Sequence, residues 1–158
     1  MEINFLKYLR DNPSAYPNDQ DYKGTIEPIS IEEIENLEQF YNNGNLFPQA
    51  LRELLFLAGK YCYVLDYLGD PQEVLQTEVR EWLSDYNRNI TRPFFAIDAH
   101  NPGEQFLYVY LDEGDNPTVY QAHLPTRNDI LPFTSLKRTL SDFIKVHVDM
   151  VKKGYNPF

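Results

Sequence analysis

The sequence predicts an α+β protein, one antiparallel β-sheet with helices packed against it. Three observations carry that reading. Helical periodicity marks the stretches near residues 31–41, 48–58 and 71–86. Three β-rich runs, at 93–98, 105–111 and 118–124, then follow one another with only turn residues between them. That order does not alternate as parallel βαβ units do, and one more helical stripe closes the chain.

The elements follow in order. Residues 1–28 read as a short helix over 3–10, with Phe5, Leu6 and Leu9 on one side, and an irregular segment after Asn12-Pro13. The main domain is expected over 29–158. Its first helix has Ser30 as cap, with Glu33 at capping-box spacing and Ile29 and Ile34 placed as a hydrophobic staple. Ile31, Ile34, Leu37 and Tyr41 share the helix's apolar face. Asn42-Asn43-Gly44 ends it, with Gly44 suited to a left-handed cap. In NNGNLFPQALRELLFLAG, Pro48 is expected at the first position of a second helix. Leu51, Leu54, Leu55 and Ala58 form its stripe, and Gly59 stops it. Phe47 is expected to be buried at the corner between the two helices.

KYCYVLDYL reads as a strand. Asp70 then caps a third helix, with Pro71 first and Glu73 at capping-box spacing. Leu75, Val79, Trp82, Leu83 and Tyr86 form its apolar face. Of the three later strands, QFLYVYL is apolar on both faces and is expected to be central. DEGDNP is the hairpin turn leading to TVYQAHL. The last helix is expected to start near Thr134-Ser135, with Leu136, Leu140, Phe143, His147 and Val151 on one stripe.

Charge narrows the function. The chain carries 24 acids and 14 bases, a formal net charge of −10. Residues 29–81 hold ten acids and three bases, and 99–125 hold four acids with no Lys or Arg. Only 126–158 is basic, with six bases and three acids. A chain of this charge is not expected to bind nucleic acid, which needs a basic stripe. A basic protein partner fits it. No apolar run reaches the roughly 20 residues that span a bilayer, so no membrane is expected. MEINFLKYLRDNP lacks the basic and apolar regions of a signal peptide, and the one cysteine, Cys62, forms no internal disulfide. The expected location is the cytoplasm.

Three stretches resemble the SUKH superfamily (Smi/Knr-like). IEEIENLEQFYNNGNLFPQALRELLFLAG is similar to its N-terminal pair of helices around an aromatic-Pro corner. RPFFAIDAHNPGEQFLYVYLDEGDNPTVYQAHL is similar to its central strands, with one glycine in the AHNPGEQ turn where the pattern has two. FTSLKRTLSDFIKVHV is similar to its closing helix. Residues 1–28 match no part of the pattern. The resemblance implies a non-enzymatic protein-binding role. Bacterial members are immunity proteins that neutralise polymorphic toxins, often nucleases, and fungal members regulate cell-wall glucan synthesis.

Asp98, His100 and Glu104 fall within seven positions and are the best candidates for a metal or acid–base centre, the basis of an alternative reading as a small metal-dependent hydrolase. Their spacing matches no known ligand motif, and loops use the same residues for turn geometry. No metal or other cofactor is expected. His123 reads as a strand residue beside the sheet edge, and His147 as a core or boundary histidine. Cys62 reads as a buried, inert thiol. No nucleophile elbow or phosphate-binding glycine motif occurs. The aromatics leave two readings open. Tyr63, Tyr67, Tyr108 and Tyr110 either pack the sheet or form a partner surface. The partner-binding candidates are therefore Asp112, Glu113 and Asp115 at the hairpin tip, with Tyr108 and Tyr110 on the strand before it.

Overall fold

The computed structural model describes residues 1–16, 25–66, 71–101 and 103–156. Among these the order is α1 (Lys7–Asp11), α2 (Ile31–Tyr41), α3 (Gln49–Ala58), α4 (Gln72–Asp85), β1 (Phe94–His100), β2 (Gln105–Tyr110), β3 (Thr118–His123), β4 (Phe133–Thr139) and α5 (Leu140–Lys152). The fold is α+β. The four strands form one antiparallel sheet in the order β1-β2-β3-β4. β2 is interior, as its two-sided apolarity requires.

Side-chain alternation splits the core into two layers, one on each sheet face. Phe95, Ile97, Leu107, Val109 and Val119 point to the layer that holds the apolar faces of α1, α2, α3 and α5. Phe94, Ala96, Phe106, Tyr108 and Ala122 point the other way, to Leu75, Val79 and Leu83 of α4. Ile3, Leu6, Leu9 and Ala15, all from the first 28 residues, belong to the first of these layers.

Local signals at the helix ends set much of this. The Ser30–Glu33 capping box forms in both directions. Asn43 and Gly44 both take positive φ after α2, at 54° and 77°, and the Gly44 N–H reaches back to the Glu38 carbonyl. Phe47 is buried at the corner, its ring 5.0 Å from that of Phe95. Pro48 lies one residue before its expected place, as the N-cap of α3, and the α3 N–H of Ala50 is taken by the Asp115 carbonyl. Gly59 ends α3 in right-handed backbone, so glycine is not needed there for its φ. A Cβ at that position would come within 2.8 Å of Ile29 Cγ1, so close packing is the constraint.

Several expectations are corrected. The first helix starts at Lys7, not residue 3, because the buried Glu53 carboxylate takes the N–H groups of Asn4, Phe5 and Leu6. Phe5 consequently lies exposed, not on the inner side. KYCYVLDYL is not a strand over its described residues. Tyr61 makes one bridge to Glu27, and a turn then buries Cys62, Tyr63, Val64 and Leu65 together. β-Propensity measures fit to a packed surface, and an apolar turn satisfies it equally. Tyr67 and the Asp70 cap lie outside the described residues. Pro71 is the N-cap of α4, one residue before its expected place.

Residues 133–139 form β4, where the start of the last helix was expected. Thr139 caps α5 instead, its hydroxyl oxygen accepting the Asp142 N–H. T139-x-x-D142 is itself a capping pattern, and Leu136 belongs to a strand that happens to continue the helical stripe. With β4 present, β3 becomes interior, so His123 is not beside a sheet edge.

Candidate partner-binding site

Phe106, Tyr108 and Tyr110 occupy alternate positions of β2 and therefore share one sheet face. Antiparallel pairing sets Tyr120 of β3 opposite Tyr108. The Tyr108 ring stacks on Tyr120 at 5.6 Å, and Tyr110 meets Tyr120 edge-on at 4.8 Å. α4 packs over the β1 side of this face and leaves Tyr110, Tyr120 and Phe133 half-buried. The aromatics of this face divide by exposure. Tyr108 is fully buried and packs the sheet, whereas Tyr110 and Tyr120 reach the surface.

The hairpin tip adds charge to this aromatic face. The register that pairs Phe94 with Tyr110 brings Arg92 beside Asp112. The Arg92 guanidinium lies 3.8 Å from the Tyr110 ring centre and contacts Asp112 at 2.5 Å and Glu113 at 3.3 Å. Glu113 is held from the other side, accepting from the Tyr120 hydroxyl at 2.8 Å and the Thr118 N–H at 3.3 Å. The Arg92 hydrogen bond holds the Asp112 carboxyl below its usual range. Burial, followed by the Glu113 carboxylate, pushes the Tyr120 hydroxyl up. Asp115 is exposed at the same tip, and its backbone carbonyl ties the hairpin to α3.

The five expected residues therefore divide. Tyr110, Asp112 and Glu113 meet in one surface cluster, Tyr108 supports it from below, and Asp115 sits toward α3. Arg92 and Tyr120 were missed by sequence reasoning. The available signal was register: the Phe94–Tyr110 pairing sets Arg92 beside Asp112, and the Tyr108–Tyr120 pairing sets Tyr120 on the same face.

The Asp98, His100 and Glu104 set lies at the other end of β1 and β2. His100 Nε2 is 3.5 Å from Asp98 Oδ2, and His100 Nδ1 is 3.7 Å from Asp66 Oδ2. Asp98 is buried, and its other oxygen accepts the N–H groups of Asp66 and Ala99. Glu104 is exposed in the turn, where its backbone carbonyl accepts the Leu124 N–H. The structure thus joins Asp98 and His100 with Asp66. Among the described residues, no group of three or more His, Cys, Asp or Glu side chains is arranged to hold a metal ion. His123 is buried at the end of β3, and its Nδ1 has no hydrogen-bond partner among the described residues. His147 is also buried, with Nδ1 2.9 Å from the Phe143 carbonyl. Burial pushes the Cys62 thiol up to about 12, far from a thiolate nucleophile at neutral pH. Among the described residues, no helix is long and apolar enough to cross a membrane.

Comparison of the chain with protein-family models, curated proteins and solved structures finds no match.

Proposed function

We propose that this chain is a non-enzymatic protein-binding module of SUKH type that neutralises a basic toxin by covering its surface. The observation that carries the reading is the Tyr110–Tyr120 surface rimmed by Asp112 and Glu113. Tyrosine is among the residues enriched in binding hot spots, and half-buried rings such as these need little ordering to serve as anchors. The net charge of −10 favours a basic partner and disfavours nucleic acid. A stable interface takes about 800 Å² from each partner. That is a small share of the 8638 Å² of accessible surface on this chain. Cytoplasmic action on a toxin made by the same cell fits the single buried thiol. A regulator of cell-wall glucan synthesis would use the same surface with a different partner.

The test is co-purification of the tagged chain with the product of an adjacent toxin-type gene, followed by a toxicity assay in cells expressing both. A stable complex and survival are expected. Failure to bind any such product refutes the immunity role. The hydrolase reading draws on the Asp98–His100 contact, and a zinc-dependent turnover abolished by His100→Ala would favour it instead.

A further inference from the structure

Arg92 is placed unlike Arg80, another ring-stacked guanidinium. Arg80 lies 4.7 Å from the Tyr41 ring centre and 4.5 Å from that of Phe94, is partly buried, and donates to the backbone carbonyls of Gln76 and Phe94. Its partners are the fold itself. Among the described residues, Arg92 donates only to the side chains of Asp112 and Glu113, and Thr91, Arg92 and Pro93 are all exposed. It can leave its seat by rotating its own side chain, without unpacking a core layer.

The seat it would vacate is already shaped. The Tyr110 ring presents a face to a flat cation, and the Tyr110–Tyr120 and Tyr108–Tyr120 contacts hold the rings. The Tyr120 hydroxyl and the Thr118 N–H orient Glu113 independently of Arg92. Asp112 receives two guanidinium nitrogens, Nε at 3.2 Å and Nη2 at 2.5 Å. A fork of donors meeting a carboxylate while stacking on a ring suits arginine and does not suit the point charge of lysine. No Lys or Arg occurs between residues 99 and 125 to compete for the seat.

We infer that Tyr110, Tyr120, Asp112 and Glu113 form a recognition site for an arginine side chain of the partner, which Arg92 fills in the free protein. This rests on the protein-binding reading and names the group the surface would read. Exchanging one guanidinium for another keeps the same stacking and the same carboxylate contacts at the seat. Arg92 then acts as a competitor that admits a partner's arginine only when the rest of the interface supports it. Removing Arg92 should open the site.

The test uses hexa-arginine and hexalysine peptides as probes, titrated at low salt into the full chain and followed by NMR. The variants are Arg92→Ala, the milder Arg92→Gln, and Arg127→Ala, which removes the same charge from the exposed Arg127–Asp129 pair. Arg92→Ala should bind hexa-arginine about fivefold tighter than the parent chain, the scale of one exposed cation–π contact with an ion pair. Hexalysine and the Arg127 variant should gain less, and the shifts should centre on Tyr110, Tyr120 and Glu113. Equal gains for both peptides, equal behaviour of the Arg92 and Arg127 variants, or shifts elsewhere would overturn the site. Unfolding of both Arg92 variants would do the same, by making Arg92 a structural residue. A toxin that binds while the Tyr110 and Arg92 signals stay unmoved removes this site and leaves the module. A chain that takes the peptide and binds no toxin-type product keeps the site and removes the immunity role.

Discussion

Two buried residues show how differently single positions reveal themselves. Phe47 is 3% exposed, between α2 and α3 and against Phe95. Phe47→Ala should cost roughly 3–5 kcal/mol, the usual range for a core Phe, measured by urea unfolding. An unchanged midpoint would remove it from the core. This position is legible because Phe-Pro at a helix start has few alternatives. Glu53 has no such signal. It is fully buried, and it accepts three N–H groups from residues 47 to 49 positions earlier, together with a Gln49 amide N–H. Local sequence cannot show a partner at that distance. Glu53→Ala should cost about 2–4 kcal/mol, since it leaves three donors without their acceptor. Amide exchange at Asn4, Phe5 and Leu6 should rise with it. Protection that stays unchanged would mean the N-terminal segment is held by packing alone.

At the scale of elements, periodicity located α2, α3 and α4, because each presents one apolar face to one layer, and the first three strands stood out as runs of β-formers bounded by turn residues. Periodicity failed where a layer changed. β4 and α5 share an apolar stripe through Leu136 and Leu140, and only the Thr139 cap separates them. The edge of β1 was equally hidden. Gln76 of α4 donates to the Ala96 carbonyl and accepts the Ala96 N–H, covering backbone groups that an edge strand would otherwise expose. A buried glutamine on an amphipathic helix gives no hint of that task.

α5 carries a pH dependence. Burial pushes the His147 pKa below its ordinary value, opposed by the hydrogen bond to the Phe143 carbonyl and helped by the nearby Arg138. The unfolded chain therefore binds the extra proton more readily. The stability contributed by neutral His147 is complete above about pH 6.5, the unfolded value, and falls as pH drops below it. Urea midpoints at pH 7.5 and 5.5 should differ more for the parent chain than for His147→Gln. Equal differences would mean that His147 is not the titrating group.

For the whole molecule, the three acids of the hairpin tip are not equivalent. Arg92 pairs with two of them, so the tip carries less uncompensated charge than its composition suggests. Charge patterning shows which residues are present, while cross-strand register decides which are neutralised. Enough acidity remains across the chain for a basic partner to be drawn in over distances set by the Debye length.

The most direct measurement of the central claim is the association rate with a cognate toxin, by stopped flow at low and at physiological salt. The parent chain is compared with one carrying Asp112→Lys, Glu113→Lys and Asp115→Lys. Electrostatic steering raises association toward about 10⁸–10⁹ M⁻¹s⁻¹ at low salt. The account expects association of the parent to slow with salt. The charge-reversed chain should associate at least about tenfold more slowly at low salt, with the gap narrowing as screening grows. Association that is insensitive to salt and identical in the two chains would contradict it, leaving the hairpin tip as a solvated turn.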